Sequence, residues 1–152
     1  MLTGFYERIV IADTSCFIAF DNIDHFDILQ TLCPFIITTP EVISEFKKPF
    51  PEWIKIVEVK DTVKIKSIST LLGIGEASAI ALALETENSL LIIDDKKARR
   101  YAQNLGLNFT GIIGLLRLGF KQGLIPEIDS IITDLRAIGF RLPANTEDLI
   151  KK

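Results

Sequence analysis

The stretch "VIADTSCFIAF", residues 10–20, sets the fold and raises the question of the site. A short, mostly apolar run ends in one acid, Asp13, and a second apolar segment follows it. Such β-branched runs are typical of strands buried in a parallel sheet. Because a buried carboxylate is costly unless something pairs with it, Asp13 either caps the next helix or serves a functional site.

Similar short runs recur along the chain and alternate with helical patterns. The runs "FIIT", "IKIVEV" and "LLIID" resemble the first strand, and "LNFTG" is a weaker candidate. Thr39 and Pro40 have the residue types that begin a helix, and Gly75 precedes an alanine-rich one. This alternation predicts an α/β fold with a central, mainly parallel sheet of four to five strands and helices on both faces.

The last third of the chain changes character. Its segments read as helices punctuated by glycine and proline, and no further clear strand follows. The length of 152 residues suits one compact core. We therefore expect a single domain over residues 1–152, in which residues 111–152 form a helical C-terminal extension.

Composition excludes several classes of protein. The longest apolar stretches fall far short of the ~20 residues that span a bilayer, so we expect a cytoplasmic protein without a membrane partner. Cys16 and Cys33 lack metal-ligand spacing and are predicted to be small core residues, and His25, the only histidine, is given no role. The net charge of −3 argues against a uniformly basic, nucleic-acid-binding surface.

The distribution of charge is more informative than its sum. From residue 96 to residue 123 there are six basic side chains and no acid, directly after the pair Asp94 and Asp95. A run of this kind is often a solvated helix face. Beside an acidic site it is also suited to gripping phosphates, and Lys96, Arg99 and Arg100 are the candidates for that contact.

Four acids occupy topologically related positions. Asp13 and Asp94 each close a predicted strand, and the carboxyl ends of parallel strands share one edge of a sheet. Glu45 and Glu76 lie on helices that can face the same edge. Carboxylate oxygens without nitrogen or sulfur ligands select Mg²⁺ or Mn²⁺.

Each acid also has a simpler interpretation. Asp13, Asp94 and Asp95 could be helix caps, Glu76 could complement a helix dipole, and Glu45 could be a solvated residue. Like-charged carboxylates at one edge would oppose folding unless a cation held them, which favours the metal.

Two hydroxyl residues follow the first acid. Thr14 and Ser15 stand where a hydroxyl or backbone N–H could steady the carboxylate of Asp13, and capping explains Ser15 equally well. We therefore predict a supporting role for this pair beside the acids.

Taken together, these motifs resemble the PIN domain family. "VIADTSCFIAF", "TTPEVISEF", "GIGEASAIALALE" and "LLIIDDKKARRYAQNLGL" resemble its four motifs in order. The run "ARRYAQNLGLNFTGIIGLLRLGFKQGLI", followed by "LRAIGFRL", resembles an uncharacterised prokaryotic PIN subgroup related to VapC-type toxins.

The resemblance implies a metal-dependent ribonuclease that acts on single-stranded RNA, often dimeric and often paired with a small antitoxin. It carries metal-binding and catalytic roles onto Asp13, Glu45, Glu76 and Asp94, with Asp95 as an addition or a substitute for Asp94. The implied cofactor is Mg²⁺ or Mn²⁺, and the implied assembly is a homodimer.

One rival from another class stays open. A PIN-like module that binds RNA or a protein without cleaving would carry the same fold. Other α/β classes fit less well, because a receiver needs its acid pair after the first strand and a haloacid-dehalogenase phosphatase needs a second Asp at position 15, which is Ser.

Overall fold

A computed structural model of the chain describes residues 8–152. Strands and helices alternate through most of these residues, and three helices follow the last strand. The strands are β1 (Ile9–Ala12), β2 (Ile36–Thr38), β3 (Lys55–Ile56), β4 (Ser89–Ile92) and β5 (Phe109–Thr110). The helices are α1 (Thr14–Asn22), α2 (Phe26–Leu32), α3 (Pro40–Phe46), α4 (Thr62–Ser69), α5 (Ile74–Glu85), α6 (Lys96–Asn104), α7 (Ile112–Lys121), α8 (Ile128–Ala137) and α9 (Thr146–Lys151).

The five strands form one parallel sheet in the order β3-β2-β1-β4-β5. The chain moves outward from β1 to β3 and then returns to the other side of β1 for β4. Ala12 of β1 pairs with Ile92 of β4, so these two central strands end together. Reversal of the winding direction opens a crevice at the carboxyl ends of the two strands, where open α/β sheets bind ligands.

Two apolar clusters cover the two faces of the sheet. Val10 belongs to one cluster and Ile11 to the other, because successive side chains of a strand point to opposite faces. The first cluster joins Phe17 of α1 to Leu135 of α8, and the second is built mainly on α5, including Ile80. The helices after residue 111 therefore share a core with α1, and the predicted α/β fold is confirmed.

Local sequence accounts for where several helices begin. The Thr39 hydroxyl accepts a hydrogen bond from Val42 N at 3.1 Å, with Pro40 at the first helical position, as predicted. Helix α4 was not anticipated. Asp61 caps it by accepting from Lys64 N at 3.0 Å, and the backbone N–H of Asp61 donates to Glu85 Oε2 at 2.8 Å.

One predicted strand is much shorter than expected. The pattern of "IKIVEV" predicted a strand over residues 54–59, but only Lys55–Ile56 pairs, at the edge of the sheet. Among the described residues, strand β3 has β2 on one side and no strand on the other, and both of its residues are exposed.

The remaining predictions have different outcomes. Cys16 and Cys33 are buried free thiols, as expected of core residues. Within residues 8–152, no helix combines the length and apolar character needed to cross a membrane. The predicted domain limits begin at residue 1, and residues 1–7 lie outside the described residues, so the single-domain organisation stays a prediction.

Candidate metal and nucleic-acid site

A cavity of about 260 Å³ lies beside the carboxyl end of β1. It brings together three of the predicted acids and both predicted hydroxyl residues, whereas Asp94 and Asp95 do not line it. The lining residues are Asp13, Thr14, Ser15, Ile18, Glu45, Gly73 and Glu76.

Asp13 is buried, with 2% of its surface exposed, and is the N-cap of α1. Its Oδ1 atom accepts hydrogen bonds from Cys16 N at 3.2 Å and from the Ser15 hydroxyl at 3.0 Å. The pKa of Asp13 is raised to about 7, mainly by burial; the nearby carboxylates of Glu76 and Asp94 also raise it, and these two hydrogen bonds lower it. Of the two alternatives for Ser15, capping of the helix is wrong, because Asp13 is the N-cap and the Ser15 hydroxyl donates to its carboxylate.

Glu45 reaches the cavity from the exposed side of α3. Thr14 Oγ1 donates to Glu45 Oε1 at 2.9 Å, which links the first helix to the third. The same carboxylate lies against the backbone of α5, because a Cβ atom at Gly75 would overlap Glu45 Oε1 and would lie 2.8 Å from Thr14 Oγ1. Gly75 therefore gives Glu45 the space in which it lies.

A buried hydrogen bond fixes α3 against α5 below this contact. The hydroxyls of Thr39 and Ser78 lie 2.6 Å apart, and the Ser78 hydroxyl also lies 2.8 Å from the carbonyl oxygen of Gly75, to which it donates. Both residues are completely buried. The bond holds the two helices that carry Glu45 and Glu76 at a fixed separation.

Glu76 lies in the first turn of α5, where its carboxylate accepts a hydrogen bond from the backbone N–H of Gly73. This is the reaching-back half of a capping box. Burial is the main cause that raises the pKa of Glu76, and the charges of Asp95 and Glu45 add to it. Glu76 thus couples electrostatically to acids on both sides of the crevice.

Asp94 and Asp95, the alternatives for the fourth acid, have different surroundings. Asp94 is partly buried, and its Oδ2 accepts from Ile112 N at 3.2 Å, at the start of α7. Burial raises the pKa of Asp94, while that hydrogen bond and the Arg99 guanidinium lower it. Asp95 is exposed and caps α6 by accepting from Ala98 N at 2.9 Å.

The predicted RNA-binding side chains lie on the first turns of α6. Lys96 and Arg100 are exposed, and neither forms an ion pair with any residue from 8 to 152. Arg99 is partly buried and lies over the ring of Phe109, 5.2 Å from its centroid, where it also lowers the pKa of Asp94. Of these three side chains, Arg99 therefore faces an acid, and Lys96 and Arg100 face solvent.

The carboxylates offer the oxygen donors that Mg²⁺ and Mn²⁺ prefer, with no nitrogen or sulfur among them. Across the described part of the chain, no three His, Cys, Asp or Glu side chains lie close enough together to enclose a metal ion. Mg²⁺ is commonly bound through one or two carboxylates together with substrate phosphates and waters, so the residues present fit that ion.

Sequence reasoning missed the residues that shape the site without carrying charge. A Cβ at Gly111, the N-cap of α7, would overlap Asp94 Oδ1, so Gly111 leaves room for Asp94 as Gly75 does for Glu45. Gly75 could have been found from the sequence, because a glycine in the first turn of a helix is unfavourable relative to alanine and suggests a packing or functional reason. No feature of the sequence indicated that Gly73 lines the cavity or that the hydroxyls of Thr39 and Ser78 form a hydrogen bond.

Comparison with known families agrees with this geometry. The family model that matches residues 9–152 carries the description PIN domain. The chain belongs to the PIN domain family. The PIN fold is a nuclease-type fold, and its members generally use divalent metals. No curated protein and no solved structure matches the sequence significantly.

Proposed function

We propose that this PIN domain is a Mg²⁺- or Mn²⁺-dependent ribonuclease that hydrolyses phosphodiester bonds of single-stranded RNA. One observation carries the proposal. Asp13 is a buried carboxylate at the switch point of the sheet, two further acids raise its pKa, and none of the described residues supplies it with an ion pair. Such an arrangement opposes folding until a cation compensates it.

Asp13, Glu45, Glu76 and Asp94, with Asp95 as an addition or a substitute, would hold one or two ions, each through one or two carboxylates together with waters and substrate phosphates. When bound, the ion supplies activation of water for attack on phosphorus and stabilisation of the leaving oxygen. The hydroxyls of Ser15 and Thr14 orient the carboxylates of Asp13 and Glu45 through the hydrogen bonds already described.

Helix starts and the proposed site use the same carboxylates. Asp13, Glu76 and Asp94 each accept hydrogen bonds from a backbone N–H at the start of a helix. A carboxylate has two oxygens and about four lone pairs, so capping leaves acceptor sites unused. The capping interpretation and the metal interpretation are therefore compatible.

The basic side chains provide the proposed grip on RNA. Lys96 and Arg100 are exposed cations near Asp95, and Arg99 lies beside Asp94. We assign phosphate contacts on the RNA to these three residues. A toxin role, a cognate antitoxin, a homodimer and a cytoplasmic location stay predictions from the family resemblance.

The experiment that tests the proposal is cleavage of a mixed pool of single-stranded RNA by the purified protein, with Mg²⁺, with Mn²⁺ and with a chelator. Cleavage is expected only with the ions, and Asp13→Asn should slow it by about 100-fold or more. Asparagine is as good an N-cap as aspartate, so α1 should persist in this variant.

A matched control is Glu87→Gln, because Glu87 is exposed and lies just before β4, at the opposite edge of the sheet. This variant should cleave as wild type does. Cleavage by Asp13→Asn at the wild-type rate, or no cleavage by wild type with either ion, would contradict the proposal.

A second function is favoured by a specific observation. All of the acids except Glu45 accept hydrogen bonds at helix starts, and within residues 8–152 no three acids lie close enough together to enclose an ion, as expected of a PIN-like module that binds RNA or protein without catalysis. Salt-sensitive RNA binding without cleavage under any of the three conditions would select this alternative.

A further inference from the structure

We infer that a second cavity, next to the acidic one, is a subsite that holds one base of the bound RNA. This inference rests on the proposed function for the identity of the substrate. The second cavity measures about 210 Å³ and is lined by Ser15, Ile18, Ala19, Asn22, Ile138, Gly139 and Phe140.

The two cavities are adjacent along one face of α1. Ser15 and Ile18 line both, and residues 15, 18, 19 and 22 follow the spacing of a single helix face. An RNA strand with a phosphate at the acids would therefore place a neighbouring nucleotide over this face. The second cavity therefore lies next to the proposed site of cleavage.

The far wall of the second cavity is a rigid turn. Gly139 has φ +85°, its N–H donates to the Arg136 carbonyl at 3.0 Å, and Phe140 N–H donates to the Leu135 carbonyl at 3.0 Å. This pair of bonds is the Schellman motif that ends a helix with a left-handed glycine. The turn fixes Phe140 in place before any ligand arrives, and it belongs to the "LRAIGFRL" motif, to which the catalytic proposal assigns no role.

The lining has the chemistry that a base requires. Phe140 is partly buried and offers a ring for stacking, while Ile18 and Ile138 are 42% and 39% exposed and offer apolar contact. The Asn22 amide is exposed and makes no hydrogen bond with any described residue, so its donor and its acceptor are both free. An amide of this kind matches adjacent donor and acceptor atoms on one edge of a base, as on adenine.

A cation also lies near this cavity. Arg141 directly follows Phe140, is exposed and has no ion pair in the described part of the chain. A phosphate beside a base held at Phe140 would have a positive partner one residue away. A wholly apolar partner, such as the apolar face of a protein helix, would form no hydrogen bond with Asn22 and no ion pair with Arg141. Asn22 in the lining and Arg141 next to it in sequence therefore favour a nucleotide.

The test is an abasic scan measured as RNA binding, without cleavage. Single-stranded RNA of about ten nucleotides, with one base removed at each position in turn, is titrated with protein in a chelator at low salt. In wild type, removal of the base at one position should weaken binding by about fivefold or more, as expected when one base no longer stacks on an aromatic ring. In Phe140→Ala, removal of that base should no longer weaken RNA binding. In Phe140→Trp, removal of that base should weaken RNA binding as it does in wild type.

Phe35→Ala is the matched control, because Phe35 is 61% exposed and directly precedes β2, at the opposite edge of the sheet. Phe140 packs against the core, so thermal melting and the effects of the other abasic positions report whether Phe140→Ala still folds. If Phe140→Ala does not fold, the comparison of wild type with Phe140→Trp and Asn22→Ala decides the outcome. An abasic profile that is flat in wild type, or unchanged in Phe140→Ala, would overturn the subsite.

A second measurement separates this subsite from the proposed catalysis. Sequencing of the cleaved ends should show a base preference next to the cut bond, which Asn22→Ala relaxes and the control Asn104→Ala leaves unchanged. An unchanged preference in Asn22→Ala would remove base reading from this cavity while the ribonuclease stands. A Phe140-dependent abasic position in a protein that never cleaves RNA would support the subsite while the ribonuclease fails.

Discussion

Asp13 and Asp94 follow two adjacent parallel strands that end together, yet their carboxylates have different neighbours. Asp94 has the Arg99 guanidinium beside it and the N-terminus of α7 beneath it. Asp13 is almost fully buried, also has a helix N-terminus, and has no ion pair among the described residues. The protein therefore offsets part of the charge on one side of the crevice with its own cation, and the other side is where we propose that a cation from solution binds.

Replacing each acid by its amide should show this difference as stability in metal-free protein. The pKa of Asp13 is about 7 in the folded protein and ordinarily 3.8, so the unfolded state loses its proton first as the pH rises. The free energy of unfolding of wild type should thus fall between about pH 4 and pH 7. Asp13→Asn should be more stable than wild type at about pH 8, by on the order of 2 kcal/mol.

The gain from Asp13→Asn should shrink as the pH falls and vanish below about pH 3, where the carboxyl is protonated in both states. Asp94→Asn should also stabilise the protein at about pH 8, but by less than Asp13→Asn does, because the hydrogen bond from Ile112 and the charge of Arg99 offset part of the effect of burial. Urea unfolding at the two pH values checks both variants. Equal stabilisation by the two amides would show that the sides of the crevice do not differ.

The two glycines that accommodate carboxylates sharpen the same comparison. A methyl group at Gly111 would overlap the short, partly buried side chain of Asp94, which has little room to move. We expect Gly111→Ala to lower the free energy of unfolding by about 1 to 2 kcal/mol.

Gly75→Ala would overlap the end of a longer, exposed side chain, that of Glu45, which can swing aside. Alanine also has the higher helix propensity, by about 1 kcal/mol. We expect Gly75→Ala to leave stability within about 0.5 kcal/mol of wild type while slowing RNA cleavage about tenfold, measured by thermal melting and by single-turnover kinetics. Loss of stability without loss of cleavage would show that Gly75 serves packing alone.

The smallest effect concerns the basic side. Arg99→Ala together with Arg100→Ala should weaken RNA binding and reduce the slope of log affinity against log salt by about one for each RNA phosphate that the variant no longer binds. Lys121→Ala is the control, because Lys121 ends α7 about 14 Å along the helix from Ile112. A salt slope that is unchanged in the double variant would remove these arginines from the interface.

The sequence predicted the central elements because their signals are local. Strand β1 is a continuous apolar run, β4 is apolar after Ser89, and Thr39 with Pro40 marks the start of α3. Strand β3 was overestimated because an edge strand pairs on one side only. Helix α4 was overlooked, although Asp61 with the spacing of Ile65 and Ile68 is a helical signal.

The site was harder to predict than the fold because its contacts join distant parts of the chain. Thr14 contacts Glu45 across 31 residues, and Asp94 contacts Ile112 across 18. Residue types could suggest which acids gather at the sheet edge, and the structure places Asp13, Glu45 and Glu76 around one cavity. They could not show which acid has a cation beside it, since Arg99 reaches Asp94 only through the packing of α6. The metal and catalytic roles of these acids stay predictions.

The central claim is that Asp13 requires a divalent cation from solution, and thermal melting at about pH 8 with increasing Mg²⁺ or Mn²⁺ tests it without any substrate. Because an ion that binds only the folded state stabilises it, the melting temperature of wild type should rise with ion concentration. Asp13→Asn, which melts higher without the ion, should show little or no further rise. An equal rise in both proteins, or no rise in wild type, would contradict the claim.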